Sequence, residues 1–388
     1  MKVNPYTPGA AKPPAFLAGR SRQLALIQSL VDQLKAGRPA QDYIFTGLRG
    51  MGKTVFLKEL QKRFKDLDWL CGYYEVRRSD QSGIAIAQII ADTYDEVAPK
   101  NWFKNMFSNV PVRVGSVTLS APGTAASLVL EPATRPAVDP YRDLYKLLVR
   151  LGRAAQKKGT GIALLIDEMQ QFKKRDLEVV LQVSRRLEGL PVTLIAAGLP
   201  TLPEQTSRAG TYSERFSFEK IDRLNLADAR QALEEPADFY HVEWAASVRD
   251  ALLERAEGYP HFIQLYASET WAAAGIPSDR PGYRITMTSF NQALPEVQRQ
   301  LDAGLYRARY ERASQGERDY LRAMASLGDV EVSSGEVARV LKKKLTQLST
   351  VRDRLMAKGI IHSPGAGLLD FSAPGFGEYV RRRSLIER

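Results

Sequence analysis

The 388-residue sequence predicts an α/β protein. A parallel β-sheet is expected between two layers of helices, with a helical lid and a C-terminal winged-helix domain behind it. Three observations predict this. Gly47-Leu48-Arg49-Gly50-Met51-Gly52-Lys53-Thr54 reads G-x-x-x-x-G-K-T and stands between a short apolar run and an amphipathic stretch. Apolar runs of strand length alternate with helical patterns as far as Leu224, which is how parallel βαβ units read. Beyond Leu224 helical patterns follow one another until a closing hairpin.

In chain order, residues 1–15 are rich in Pro, Gly and Ala without periodicity and read as an extended arm. A helix runs through Leu26, Ile27, Leu30, Val31 and Leu34, and Gly37-Arg38-Pro39 ends it. Asp42 to Thr46 is a buried strand, and Val55 to Phe64 has apolar residues at helical spacing. Trp69 to Val76 is a second strand, followed by a helix over Ser82 to Tyr94. Residues 101–140 are poor in charge, and Val112-Arg113-Val114, Ser116 to Leu119 and Ser127 to Leu130 are β-prone, so a β-hairpin or loop insertion is expected. A helix follows over Pro140 to Lys157. Gly161 to Ile166 is continuously apolar, the pattern of a strand buried on both faces. A helix over Leu177 to Leu187, a strand over Val192 to Gly198 and a short strand over Phe216 to Ile221 complete a core domain spanning 16–224.

Residues 225–289 read as a helical lid without strands, with helices over Ala227 to Glu234, Ala245 to Arg255 and His261 to Ala273. Residues 290–388 read as a linker helix (Phe290 to Arg312) and a winged-helix domain. That domain has helices at Gly316 to Leu327, Ser334 to Lys344 and Leu345 to Lys358, then a hairpin over Ile360 to Ser372.

Composition narrows the function classes. The sequence is 44% hydrophobic and 26% charged, ordinary for a globular protein. No apolar run is long enough for a transmembrane helix, and the first residues lack the apolar core of a signal peptide, so no membrane partner and a cytoplasmic location are expected. A single cysteine, Cys71, leaves no internal disulfide framework and fits a reducing compartment; its apolar surroundings predict a buried thiol. Three histidines and one cysteine argue against a zinc site. The formal net charge of +11 favours an acidic partner, nucleic acid foremost.

The glycine motif carries the chemistry. Its glycines allow positive φ, so that backbone N–H groups fold around phosphate oxygens, and the following helix N-terminus adds its positive dipole end. Gly47, Leu48, Arg49, Gly50, Met51, Gly52, Lys53, Thr54 and Val55 are therefore the expected ATP-binding segment of a P-loop NTPase αβα sandwich. Lys53 is expected to reach the β- and γ-phosphates, and the Thr54 hydroxyl to ligate Mg²⁺. Asp167-Glu168 directly follow the apolar strand, so a parallel sheet delivers them to its ligand edge. Asp167 is expected to hold Mg²⁺ and Glu168 to position the attacking water as general base.

Taken together, Phe16-Leu17-Ala18-Gly19-Arg20, the glycine motif and Leu164-Leu165-Ile166-Asp167-Glu168-Met169-Gln170 resemble the AAA+ ATPases. The resemblance is nearest to the archaeal and bacterial ATPases related to origin-recognition initiators and to the signalling ATPases called STAND. It spans roughly Phe16 to Ala273. It implies that Gly19 and Arg20 lie against the adenine, and that a polar sensor ends the fourth strand. Gly198-Leu199-Pro200-Thr201 stands there without the usual Asn, leaving Thr201 as substitute. It also implies an oligomer with an arginine finger, for which Arg208 and Arg215 are candidates and Arg215 the choice. His261 occupies the place of the lid's sensor arginine. These departures predict slow turnover.

In the C-terminal module, Leu345, Leu348, Val351 and Leu355 are expected inward. Thr346, Gln347, Ser349, Thr350, Arg352 and Arg354 then fall mostly outward, as on a DNA-recognition helix. Lys342-Lys343-Lys344 and Arg381-Arg382-Arg383 flank it. The expected function is an ATP-binding and ATP-hydrolysing switch that contacts double-stranded DNA. The alternatives are a STAND-like signalling or phage-defence ATPase, or an ATPase helper of a transposase or nuclease, in which the module binds a protein.

Overall fold

The computed structural model describes residues 1–9, 12–78, 80–96, 112–114, 117–120, 129–132, 140–187, 189–209, 216–278, 282–328 and 331–387. The chain divides into two compact units. One comprises Arg20–Gly47 and Lys53–Ile221, the other Met1–Gly19, Leu48–Gly52 and Asp222–Arg388.

The first unit is built on a five-stranded parallel sheet. Its strands are β1 (Tyr43–Thr46), β2 (Leu70–Glu75), β6 (Ile162–Asp167), β7 (Val192–Gly198) and β8 (Ser217–Lys220), in the order β2-β6-β7-β1-β8. Every residue of β6 and β7 is buried, which is why these strands read as unbroken apolar runs. Register fixes the geometry of the ligand edge. Thr46 pairs with Gly198 and Ile166 with Ala196, so β1, β7 and β6 end together. The helices are α1 (Ser21–Lys35), α2 (Lys53–Asp66), α3 (Ser82–Glu96), α4 (Pro140–Lys157), α5 (Lys174–Arg185) and α6 (Leu202–Ala209). Ile44, Leu164 and Ile166 share one apolar cluster with Leu148, Leu151 and Val180 from α4 and α5. At ~1.5–3 kcal/mol per large apolar side chain, this cluster is the main support of the edge. Cys71 is buried in β2, as its surroundings predict. Three short strands, β3 (Val112–Val114), β4 (Val117–Ser120) and β5 (Val129–Pro132), form a separate antiparallel sheet with β4 central.

The second unit carries α7 (Leu226–Asp238), β9 (Val242–Trp244), α8 (Ala246–Ala256), α9 (Pro260–Ala274), β10 (Tyr283–Ile285) and α10 (Met287–Gln300). Asn225 caps α7 by accepting from the Asp228 N–H at 2.9 Å. The expectation of a strandless lid is corrected here, because β9 and β10 pair in parallel. Each is three residues long, too short to register as an alternating pattern. The N-terminal arm has no regular structure among its described residues, yet it is anchored. Tyr6 is buried between Trp244 and Trp271, donates to the Leu233 carbonyl at 2.5 Å and accepts from Trp244 Nε1 at 3.0 Å.

After α10 the backbone widens into a π-helical segment, Leu301–Tyr306, and returns to α11 (Arg307–Glu311). Then come α12 (Gln315–Leu327), β11 (Val332–Ser333), α13 (Ser334–Val340), α14 (Leu345–Ala357), β12 (Ile361–His362), β13 (Leu368–Phe371) and α15 (Phe376–Ile386). Capping boxes at Ser314/Glu317 and Ser333/Glu336 start α12 and α13. The strands β11, β13 and β12 form an antiparallel sheet in that order. One further expectation is corrected. Leu345 is exposed rather than inward, since it occupies the first turn of α14; Arg352 is half exposed and pairs with Asp353. A last helix, α15, follows the hairpin and carries Arg381-Arg382-Arg383; Arg382 is tied to Asp302 at 2.7 Å and Arg381 to the Ala325 carbonyl at 2.9 Å.

Candidate nucleotide-binding site

Strand β1 ends at Thr46 and the chain turns through the glycine motif into α2. Gly47 sits where no side chain fits, because a Cβ there would stand 2.1 Å from the Ile221 carbonyl oxygen. Gly50 and Gly52 take φ of 92° and 88°, the left-handed region that favours glycine. Lys53 opens α2, is buried, and donates from Nζ to the Gly47 carbonyl at 2.8 Å. Thr54 follows, with its Oγ1 donating to Asp167 Oδ2 at 2.5 Å. Asp167 closes β6 with no exposed surface and also accepts from the Glu168 N–H at 2.8 Å. Hydroxyl and carboxylate, 113 residues apart in sequence, thus meet at the carboxyl edge of the sheet, where open α/β sheets bind ligands.

Two residues the sequence reading missed complete this arrangement. Tyr73, on β2, donates its hydroxyl to Asp167 Oδ2 at 3.1 Å; burial and the Asp167 charge push its pKa up, so it stays a donor. Gln170 donates to Glu168 Oε2 at 2.6 Å and accepts from the Leu199 N–H at 3.1 Å. Gln170 explains Gly198. A Cβ at Gly198 would lie 2.5 Å from Gln170 Oε1, so the carboxamide fills the space a sensor side chain at the end of β7 would need. Thr201 Oγ1 is buried without a hydrogen-bond partner. Gln170 was findable two residues after Glu168; Tyr73 had no local signal. Glu168 itself is held in the left-handed region at φ 53°, ψ 35°, an uncommon conformation for a non-glycine residue.

The remaining candidates fall as follows. Leu48 and Met51 are buried, Arg49 and Val55 half-buried, and Gly50 exposed. The Met51 N–H donates to the Leu48 carbonyl at 3.4 Å, closing the turn. His261 lies in the first turn of α9, with its Cβ 3.9 Å from where a Gly50 Cβ would stand. Burial foremost, then the Arg309 charge, pushes its pKa down, so His261 is neutral at neutral pH and supplies no cation there. Gly19 takes φ 66°, and a Cβ would meet Leu224 at 2.6 Å. Arg20 is buried at the start of α1. Arg208 is exposed and pairs with Glu204 at 2.6 Å on α6. Arg215 lies outside the described residues.

Residues 17–195 match a family model described as an AAA ATPase domain, and residues 303–380 match a domain of unknown function (DUF8462). The fold is that of P-loop NTPases. A Walker-type ATPase of Pyrococcus abyssi is similar in structure at a TM-score of 0.64 and 15% identity, over 94% of this chain and 96% of that one. The Orc1 protein of Aeropyrum pernix in complex with DNA gives a TM-score of 0.46 at 17% identity, over 97% and 95%. The RuvB Holliday junction branch migration motor of Thermotoga maritima gives 0.46 at 13%, over 95% of both chains. No curated protein matches by sequence. No helix among the described residues is long and apolar enough to cross a membrane.

The P-loop NTPase fold implies a nucleotide, typically with Mg²⁺. The residues fit both. Hard oxygen donors suit Mg²⁺, and Thr54 Oγ1 and Asp167 Oδ2 already converge, while Gly50 and Gly52 give the loop the positive φ with which a backbone can curve around phosphate.

Proposed function

We propose that the chain binds ATP at Gly47–Thr54 and hydrolyses it slowly, as a switch rather than a fast motor. The observation that carries this reading is the 2.5 Å contact between Thr54 Oγ1 and Asp167 Oδ2, with buried Lys53 beside them. Lys53 exchanges its Gly47 carbonyl for phosphate oxygens. Thr54 and Asp167 would hold Mg²⁺, with Tyr73 fixing the rotamer of Asp167. Mg²⁺ there would supply positive charge against the phosphate oxygens. Glu168, held by Gln170, accepts a proton from water aligned for in-line attack. Gly19 and Arg20 flank the base. Arg215, supplied to a second copy in a homo-oligomer, is the candidate arginine finger, and a lone chain without one is expected to turn over slowly. Phosphate release measured on Lys53→Ala and Glu168→Gln tests the assignment: both are expected to fall at least ~100-fold, with ATP still bound by Glu168→Gln. Unchanged release in both overturns it.

The C-terminal module serves, on this reading, as a winged helix that contacts double-stranded DNA. Thr346, Gln347, Thr350 and Arg354 are exposed on α14, next to exposed Lys342, Lys343 and Lys344. Such short polar and cationic side chains suit base edges and phosphates. A protein partner is the second reading, because Val340 and Leu345 are 46% and 53% exposed beside the same helix. Exchanging the three lysines for alanine separates the two, since it weakens a labelled duplex and leaves an apolar protein contact in place. A cytoplasmic location goes with either.

A further inference from the structure

The helix α4 (Pro140–Lys157) carries five cations, Arg142, Lys146, Arg150, Arg153 and Lys157, and one acidic residue, Asp143, in its first turn. All five cations are exposed. At 3.6 residues per turn they fall within an arc of ~80° on one face, and at 1.5 Å per residue they extend over ~22 Å. The opposite face is fixed. Leu144, Leu147, Leu148, Leu151 and Ala155 are buried in the apolar cluster of the first unit, so the helix cannot roll the cations out of line. Lys146, Arg150, Arg153 and Lys157 line a groove of about 500 Å³ with Tyr145 and Val149. Such a row is unfavourable for the helix by itself. Consecutive members stand three or four residues apart, where like charges destabilise a helix. Other helices of this unit do the reverse and set Arg against Glu at that spacing, as in Arg63 with Glu59 on α2 and Arg208 with Glu204 on α6.

We propose that this face of α4 is a separate nucleic-acid contact, a sequence-independent seat on the first unit for the phosphate backbone of a duplex. A row ~22 Å long runs beside about six phosphates of one strand, at 3.4 Å of axis rise for each. Cations along a groove concentrate the field that draws a polyanion in. Duplex is favoured over unpaired strand by the neighbouring rings. Tyr141 and Tyr145 stack on each other with centroids 6.2 Å apart, and Arg186 lies over the Tyr141 ring at 5.6 Å, so these rings are engaged with one another rather than offered to bases. An anionic membrane is the poorer occupant, because a helix seated on a bilayer inserts its apolar face, and here that face is in the core. Phosphate contacts of this kind position a duplex and do not read its sequence. The contact is independent of the C-terminal module and adds its own share to the salt dependence of binding.

The test uses the full chain and a fluorescently labelled duplex, with anisotropy read across a series of salt concentrations. Arg142 and Arg150 have other contacts within the chain, so the substitutions are made at the remaining three. Lys146→Gln, Arg153→Gln and Lys157→Gln together are expected to bind ~100-fold more weakly near about 0.1 M salt and to flatten the slope of log affinity against log salt by about 3. The charge-keeping set Lys146→Arg, Arg153→Lys and Lys157→Arg is expected to bind as the unsubstituted chain does. Neither set is expected to melt earlier, since the glutamine set loses only repulsion between like charges. Unaltered affinity and slope in the glutamine set, with both lowered by alanine at Lys342, Lys343 and Lys344, leaves DNA to the C-terminal module and overturns this proposal alone. Weaker binding with an unaltered slope and a lower melting temperature makes the row structural and likewise overturns it. Vesicles of phosphatidylserine and phosphatidylcholine are the second probe; vesicle binding that falls in the glutamine set, with duplex binding unaffected, assigns the face to a membrane and overturns the duplex. No duplex binding by the unsubstituted chain overturns both nucleic-acid readings together.

Discussion

Glu168 is placed by its neighbours rather than by its own preferences. Its backbone sits in the left-handed region, and its carboxylate is tied to Gln170, which is tied in turn to the start of the turn after β7. Replacing Gln170 with Met keeps the volume and removes both hydrogen bonds. The expected outcome is a ~10–100-fold slower single-turnover release of phosphate with nucleotide affinity unchanged, since small misplacements of a catalytic group cost that much. An equal loss of affinity would instead make Gln170 part of the binding surface. At this scale the sequence was informative where chemistry dictates residue type. Lys53, Thr54, Asp167 and Glu168 announced themselves through the glycine motif and the strand-end acids. Gly198 was legible only as a missing sensor; that it is glycine because Gln170 occupies the space is a packing fact, and packing across 28 residues leaves no periodic mark.

The elements show the same division. Long buried strands and amphipathic helices were readable because burial on both faces or on one stripe dictates their patterns. The β9/β10 pair and the anchoring of the N-terminal arm were not, since both depend on partners far along the chain. The arm offers a direct measurement. Tyr6→Phe preserves the ring between Trp244 and Trp271 but deprives Trp244 Nε1 and the Leu233 carbonyl of their partner. Urea unfolding followed by tryptophan fluorescence is expected to show a loss of ~1–3 kcal/mol, the cost of buried polar groups left unsatisfied. Tyr6→Ala should cost more, ~3–5 kcal/mol, through the cavity it adds. A Phe variant as stable as the parent would mean that the hydrogen bonds contribute nothing net.

For the molecule as a whole, the +11 charge is the property that association feels first. Some of it is committed internally: Arg382 to Asp302 and Glu378, Arg322 and Arg383 to Glu387. Lys342, Lys343, Lys344 and Arg354 remain exposed in one stretch of the C-terminal module. If these four meet phosphates, the logarithm of duplex affinity should fall against the logarithm of salt concentration with a slope of about −3 to −4. Fluorescence anisotropy of a labelled duplex at several salt concentrations measures it, and alanine at the three lysines should flatten it by about 3. A slope near zero removes DNA from the reading. Net charge was plain in the sequence, but which cations are spent inside the fold became visible only with the ion pairs in place.

The bond from Lys53 Nζ to the Gly47 carbonyl has a kinetic consequence. The lysine is its own loop's first ligand, so nucleotide arrival is a substitution at a filled position rather than an addition to a bare one. The enthalpy of the displaced contact is subtracted from affinity, and departure is eased because the ammonium has a ready place to return. On the proposed nucleotide reading, such a loop is expected to favour exchange over tight retention.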